Sequence, residues 1–133
     1  LSFINGLCAA THLIVPTGLD NLAAQSAGNF IIQYKFLKPR ICPQLELIGV
    51  VPSMTYNQGP ANYIQREQPV VARLQGLVRG EFGSSAFLLE NCNIHRAAHI
   101  RNAAGEKLAY FESDESRTIF TTLAKEVIER TRR

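Results

Sequence analysis

The chain has 133 residues, 46% of them apolar and 19% charged, with a net charge of +3. This is the size of one ordinary domain, and the balance excludes a disordered chain. The mild positive charge permits contact with a polyanion without demanding it. No apolar run approaches the roughly 20 residues needed to span a bilayer. Residues 1–10 lack the basic leader of a secretory signal. Cys8, Cys42 and Cys92 are odd in number and widely spaced, which argues against a disulfide framework and for a reducing cytoplasm. The chain opens at Leu1 rather than Met and runs straight into a helical pattern, so it is expected to be a piece of something longer.

In chain order, residues 2–10 read as a short helix, and THLIVPT at 11–17 as a strand ended by Pro16. Asp20 is a natural N-cap for a long helix over about 21–36, with Leu22, Ala23, Ser26, Phe30 and Ile31 on its apolar face. KPRICPQ at 38–44 reads as a loop, with Pro39 and Pro43 as breakers. LELIGVV at 45–51 has no alternation, so a second strand covered on both faces is expected, stopped abruptly by Pro52. MTYNQGPAN at 54–62 is rich in turn residues, and a helical stretch follows over about 62–79. SSAFLLE at 84–90 is a short third strand. Residues 91–107 read as irregular and then helical, with Gly105 as a C-cap. LAYFE at 108–112 reads as extended. A final helix starts at 113–115, with Thr118, Phe120, Leu123 and Val127 spaced to pack.

Strands thus alternate with helices long enough for crossovers, the pattern of a parallel α/β sheet in one domain over 1–133. In such sheets ligands sit beyond the carboxyl ends of the strands. Pro16-Thr17-Gly18, Pro52-Ser53-Met54 and Glu90-Asn91 would emerge on that edge.

Chemical constellations are sparse. No Gly-rich loop with a Lys is available to cradle phosphate. Cys92 with His95 or His99 has the residue types of a nucleophile and base, but no recognisable local context. The same Cys92-x2-His95-x3-His99 spacing could face two imidazoles and a sulfur toward a metal, although no fourth ligand is evident and Arg96 and Arg101 disfavour a cation. Arg96 and Arg101 could instead hold an anion or a DNA phosphate. Lys35, Lys38 and Arg40 form a second basic cluster at the end of the long helix. Each basic group also reads as solvated charge near a helix end. Ser113 or Asp114 suits the N-cap of the last helix, with acidic residues favoured by its dipole.

The order of these elements, with the segments LIVPT, GVVPSM and FTTLAKEVIER, resembles the carboxyl half of the ParA family of partition ATPases, relatives of the MinD ATPases. The resemblance covers nearly the whole chain and rests on structural rather than catalytic motifs. It implies a P-loop NTPase (Rossmann-like) fold with a mostly parallel sheet flanked by helices. It further implies an ATP-bound homodimer that coats DNA without sequence preference and is stimulated by a ParB-type centromere-binding protein. The setting implied is the cytoplasm, in association with the nucleoid and with no membrane contact.

The family's K-G-G-x-G-K-T loop, switch aspartate and Walker B strand are absent from this sequence. ATP and Mg²⁺ are therefore cofactors expected of a full-length parent, and this chain alone is expected to be inactive. Residue by residue, Pro52, Ser53 and Met54 match the loop that borders adenine, and Phe111, Glu112 and Ser113 match the loop covering its other side. Arg96 lies near a segment that reads R-N-V-R in the family and is the best DNA-contact candidate, with Arg101, Lys38 and Arg40 as weaker ones. Two alternatives stay open. One is a MinD-like positioning or scaffold regulator, for which the apolar face of the last helix is short. The other is a self-contained anion- or metal-binding α/β domain.

Overall fold

The structure is a computed structural model that describes residues 2–56, 62–83, 87–88, 92–96, 100, 108–111 and 113–132. Helix α1 (Ser2–Ala9) leads into strand β1 (His12–Thr17), helix α2 (Asn21–Ile41) and strand β2 (Glu46–Thr55). Helix α3 (Gln68–Phe82), the short strands β3 (Phe87–Leu88) and β4 (Ile94–His95), a 3-10 turn (Ala109–Phe111) and helix α4 (Asp114–Thr131) complete the described elements. Strand β2 is central. β1, β3 and β4 all pair with it in parallel, β3 at its middle and β4 at its carboxyl end.

Val50 and Val51 show why β2 lacks alternation. Successive side chains of a strand point to opposite faces. Val50 packs with Val15 under α2 and α3, in a cluster with Ile31, Leu74 and Val78. Val51 packs on the other face with Cys92, Ile14, Ile94 and Leu123 of α4. A parallel α/β layer with helices on both faces is thereby shown, as the pattern required.

The stop at Pro52 is corrected. Strand β2 runs through Pro52 to Thr55, and Pro52 is fully buried opposite Thr17. Proline cannot donate to a ladder. Here the missing donor falls between the pairing with β3, which ends at Val50, and the pairing with β4, which begins at Ser53.

Helix α2 also differs from expectation. Asp20 caps it, its Oδ1 accepting from Ala23 N at 2.8 Å. The helix continues to Ile41 with Pro39 inside, where a loop was expected. Pro39 stands in the last turn, so few backbone bonds are lost. Fully buried Cys42 closes the end, its N–H donating to Lys38 O. The buried face is Ala24, Ala27, Gly28, Ile31 and Tyr34, while Leu22 and Ser26 are exposed. Small residues win because they let α2 approach α3: a β-carbon on Gly28 would stand 3.4 Å from Leu77 Cδ1.

Three further expectations change. Residues 62–67 are not helical: α3 begins at Gln68, with Pro69 in its first turn. Residues 109–111 form a 3-10 turn rather than an extended segment. In α4, Phe120, Leu123 and Val127 are half-buried, but Thr118 is exposed. Most of 84–90, all of 97–99 and 101–107, and Glu112 lie outside the described residues. So does most of the turn-rich segment expected at 54–62, whose first residues, Met54 and Thr55, belong to β2.

Arg130 locks α4 onto the sheet. The register between β1 and β2 slips at Ile48, which has no counterpart on β1. Arg130 Nη1 donates to the Ile48 carbonyl at 3.1 Å, and its Nε donates to Glu126 at 2.7 Å. Arg130→Met keeps the aliphatic stem and removes both bonds. It is expected to cost about 1–2 kcal/mol. Urea denaturation measures this, and an unchanged midpoint would mean the bulge is satisfied without Arg130.

Candidate functional site

A cleft of about 390 Å³ opens at the carboxyl edge of β1 and β2. One wall is the turn after β1 and the start of α2, from Gly18 to Asn21. Met54 and Tyr56 rise from the end of β2, Arg66, Glu67 and Val70 come from the start of α3, and Arg96 follows β4. The parallel topology sets this place, since the described strands all point toward the same edge.

The end of β2 is held in an unusual conformation. Met54 has φ 58°, the only positive φ of a non-glycine residue among the described residues. Arg96 Nε donates to the Met54 carbonyl at 3.1 Å, and Arg96 N donates to Thr55 O at 2.8 Å. Buried Asn93 donates to Thr55 Oγ1, and Tyr56 N donates to Glu67 Oε1 at 3.0 Å. These bonds offset a left-handed backbone that costs a side-chain-bearing residue on the order of 1–2 kcal/mol. Met54 is thereby presented outward, 60% exposed.

The guanidinium carbons of Arg66 and Arg96 stand 4.0 and 4.3 Å from the ring centroid of Tyr56. The stack is flat, polarisable and cationic, which suits an aromatic or anionic ligand. Glu67 is 3% exposed, and among the described residues its Oε2 has no hydrogen-bond partner.

The sequence-predicted residues are dispersed. Met54 and Arg96 line the cleft. Pro52 is in the core, and the Ser53 hydroxyl donates to Thr17 O at 3.5 Å beneath it. Ser113 caps α4, its Oγ accepting from Ser116 N, and exposed Phe111 packs edge-on against Tyr110. Neither Ser113 nor Phe111 lines the cleft. Glu112, Arg101 and His99 lie outside the described residues.

Lys38 and Arg40 sit in the last turn of α2, where Arg40 stacks on Phe36. That end is about 25 Å from the start of α2 at 1.5 Å per residue, so Arg96 does not share a surface with them. Tyr56, Arg66 and Glu67 were missed by the sequence reading. Their position just after a strand and at the start of the following helix was the signal that could have found them.

Cys92 and His95 do not form a reactive pair. Burial pushes the Cys92 thiol up, Glu126 adds to this, and Arg130 partly offsets it. Such a thiol is a poor nucleophile. His95 is buried, with Nε2 standing 2.9 Å from Glu115 Oε1. Among the described residues no three His, Cys, Asp or Glu side chains converge to hold a metal. Nor is any described helix long and apolar enough to cross a membrane.

The fold and cleft define a class: a parallel α/β domain with a cleft at its carboxyl edge. Set against known proteins, the sequence matches no protein-family model and no curated protein.

Proposed function

We propose that the chain is the carboxyl half of a ParA-type P-loop ATPase domain acting in DNA partition, and that its cleft is the adenine-side wall of the nucleotide site. The observation that carries this reading is the cleft at the carboxyl edge of β1 and β2, with Met54 of the GVVPSM segment exposed on it. The Tyr56–Arg66–Arg96 stack offers flat surfaces for a purine ring, and Val70 adds an apolar contact. ATP fits as the ligand of such a wall, whereas the triphosphate grip belongs to segments absent from this sequence. In the parent, ATP would bridge a homodimer that binds non-specific DNA and answers to a ParB-type partner.

The test is calorimetric titration of the chain with adenosine and with ATP. Adenosine is expected to bind weakly, and the triphosphate of ATP to change the affinity by less than about tenfold, since the sequence has no Gly-rich loop with a Lys to cradle phosphate. Absence of adenosine binding would overturn the reading. The DNA part is tested by fluorescence anisotropy with a random duplex, where affinity resting on Arg and Lys falls steeply with salt. Insensitivity between 50 and 200 mM salt would remove that part.

A further inference from the structure

A helix that rests on a sheet ordinarily turns charged side chains to water. Helix α2 does not: from Asn21 to Tyr34 it carries no charged residue. Its first charge, Lys35, is turned to α3, where Nζ donates to Glu81 at 2.7 Å. The outer face is Leu22, Gln25, Asn29, Ile32 and Phe36, all exposed, and none of them lines the cleft. Leu22 is 75% exposed and Phe36 62%. The steps along this face alternate between three and four residues, the spacing of a seam between two helices. We propose that this face is an interface between two copies of the chain, paired antiparallel about a two-fold axis at Asn29 and needing no nucleotide. The inference is independent of the nucleotide reading.

The spacing selects a second copy as the occupant. Leu22 and Phe36 each stand seven residues from Asn29, so the three lie on one line along the helix. A two-fold axis at Asn29 sets Leu22 of each copy against Phe36 of the other, and the two Asn29 side chains against one another. An amide both donates and accepts, so the two satisfy each other, and a lone Asn at such a position fixes register. A lipid surface would leave Gln25 and Asn29 without partners. An uncharged face also meets its own copy without repulsion, as an isologous interface requires. The ends of α2 set the direction. The helix starts at Asp20 and has Lys38 and Arg40 in its last turn. Antiparallel pairing brings the acidic start beside the basic end and opposes the two helix dipoles, whereas parallel pairing brings like charges together. The seam is about 21 Å long at 1.5 Å per residue. That is short for an interface, so the pair is weak, with a Kd between about 10 µM and 1 mM.

The experiment is sedimentation equilibrium of the chain without nucleotide, at concentrations up to about 1 mM. The unaltered chain is expected to shift from monomer to dimer as concentration rises. Leu22→Glu and Phe36→Lys change exposed side chains, so both variants are expected to keep the fold, which circular dichroism checks. Each is expected to weaken pairing at least about tenfold, because each places an unpaired charge in the seam. Combined in one chain, the two substitutions set a carboxylate against an ammonium group across the axis. The double variant is therefore expected to pair more tightly than either single variant, which a parallel pair, with like charges facing, would not do. A chain that stays monomeric throughout overturns the inference. So does a dimer that neither single variant weakens, or a double variant no tighter than the singles. A monomer that floats with phosphatidylserine vesicles and loses this with Leu22→Glu gives the face to lipid and overturns the inference as well.

Discussion

Leu74→Ala is expected to cost the fold about 2–5 kcal/mol, the largest single-residue effect expected here. Leu74 is 2% exposed, on the face of α3 turned to the sheet, in the cluster with Ile31, Val50 and Val78. The truncation removes buried methyl groups and leaves a cavity that helices seated on a rigid sheet cannot readily close. Urea denaturation followed by circular dichroism measures the loss as a lower midpoint with an unchanged slope. A shift worth less than about 1 kcal/mol would show that α3 is not packed as described. The effect reaches the cleft, because Arg66 and Glu67 stand at the entry to α3 and depend on its seat for their place there.

Alkaline pH should remove nearly as much stability through one hydroxyl. Tyr34 lies under α1 with Leu7, Cys42 and Leu45, and donates to the Leu45 carbonyl at 2.6 Å. Burial, with Cys42 and Glu46 nearby, pushes its pKa from 10.0 up to about 12. Below pH 10 the hydroxyl is protonated in both the native and the unfolded states. Between 10 and about 12 the unfolded chain ionises while the native one does not. The native state then binds more protons, so stability falls as pH rises, by roughly 2–3 kcal/mol across that window. Denaturation midpoints between pH 9 and 12 test this against Tyr34→Phe. The variant should be less stable at neutral pH by about 1 kcal/mol, because the Leu45 carbonyl loses its donor. It should lack this alkaline loss, and an identical pH profile in the two proteins would refute the assignment.

Much of the framework was legible because it rests on local chemistry. The side chains of Asp20 and Ser113 satisfy free helix N–H groups, and both cap their helices in the structure. The unalternating LIGVV run reported a strand buried on both faces, and Val50 and Val51 face opposite clusters. The rule for parallel sheets pointed to the carboxyl edge, and Gly18 and Met54 line the cleft there.

Proline was read as a breaker at 39 and 52, yet both prolines lie inside regular elements. Whether a lost N–H matters depends on whether a neighbouring group needs it, and that is set by which strands pair and where they stop. The apolar face of α2 was read from its largest side chains, whereas its buried face is built on Ala24, Ala27 and Gly28. Close helix approach rewards small residues, and only the position of α3 reveals the need.

The residues by themselves determined a parallel α/β layering, the capped starts of α2 and α4 and the edge at which a ligand would lie, because periodicity, capping and strand burial act over a few positions. Tertiary structure alone decided which side chains meet. It brought Tyr56, Arg66, Glu67 and Arg96 from three separate segments into one cleft, and it left Lys38 and Arg40 at the far end of α2. Such convergence follows from strand order and helix packing, which join residues distant in the chain and leave no mark on the spacing between neighbours.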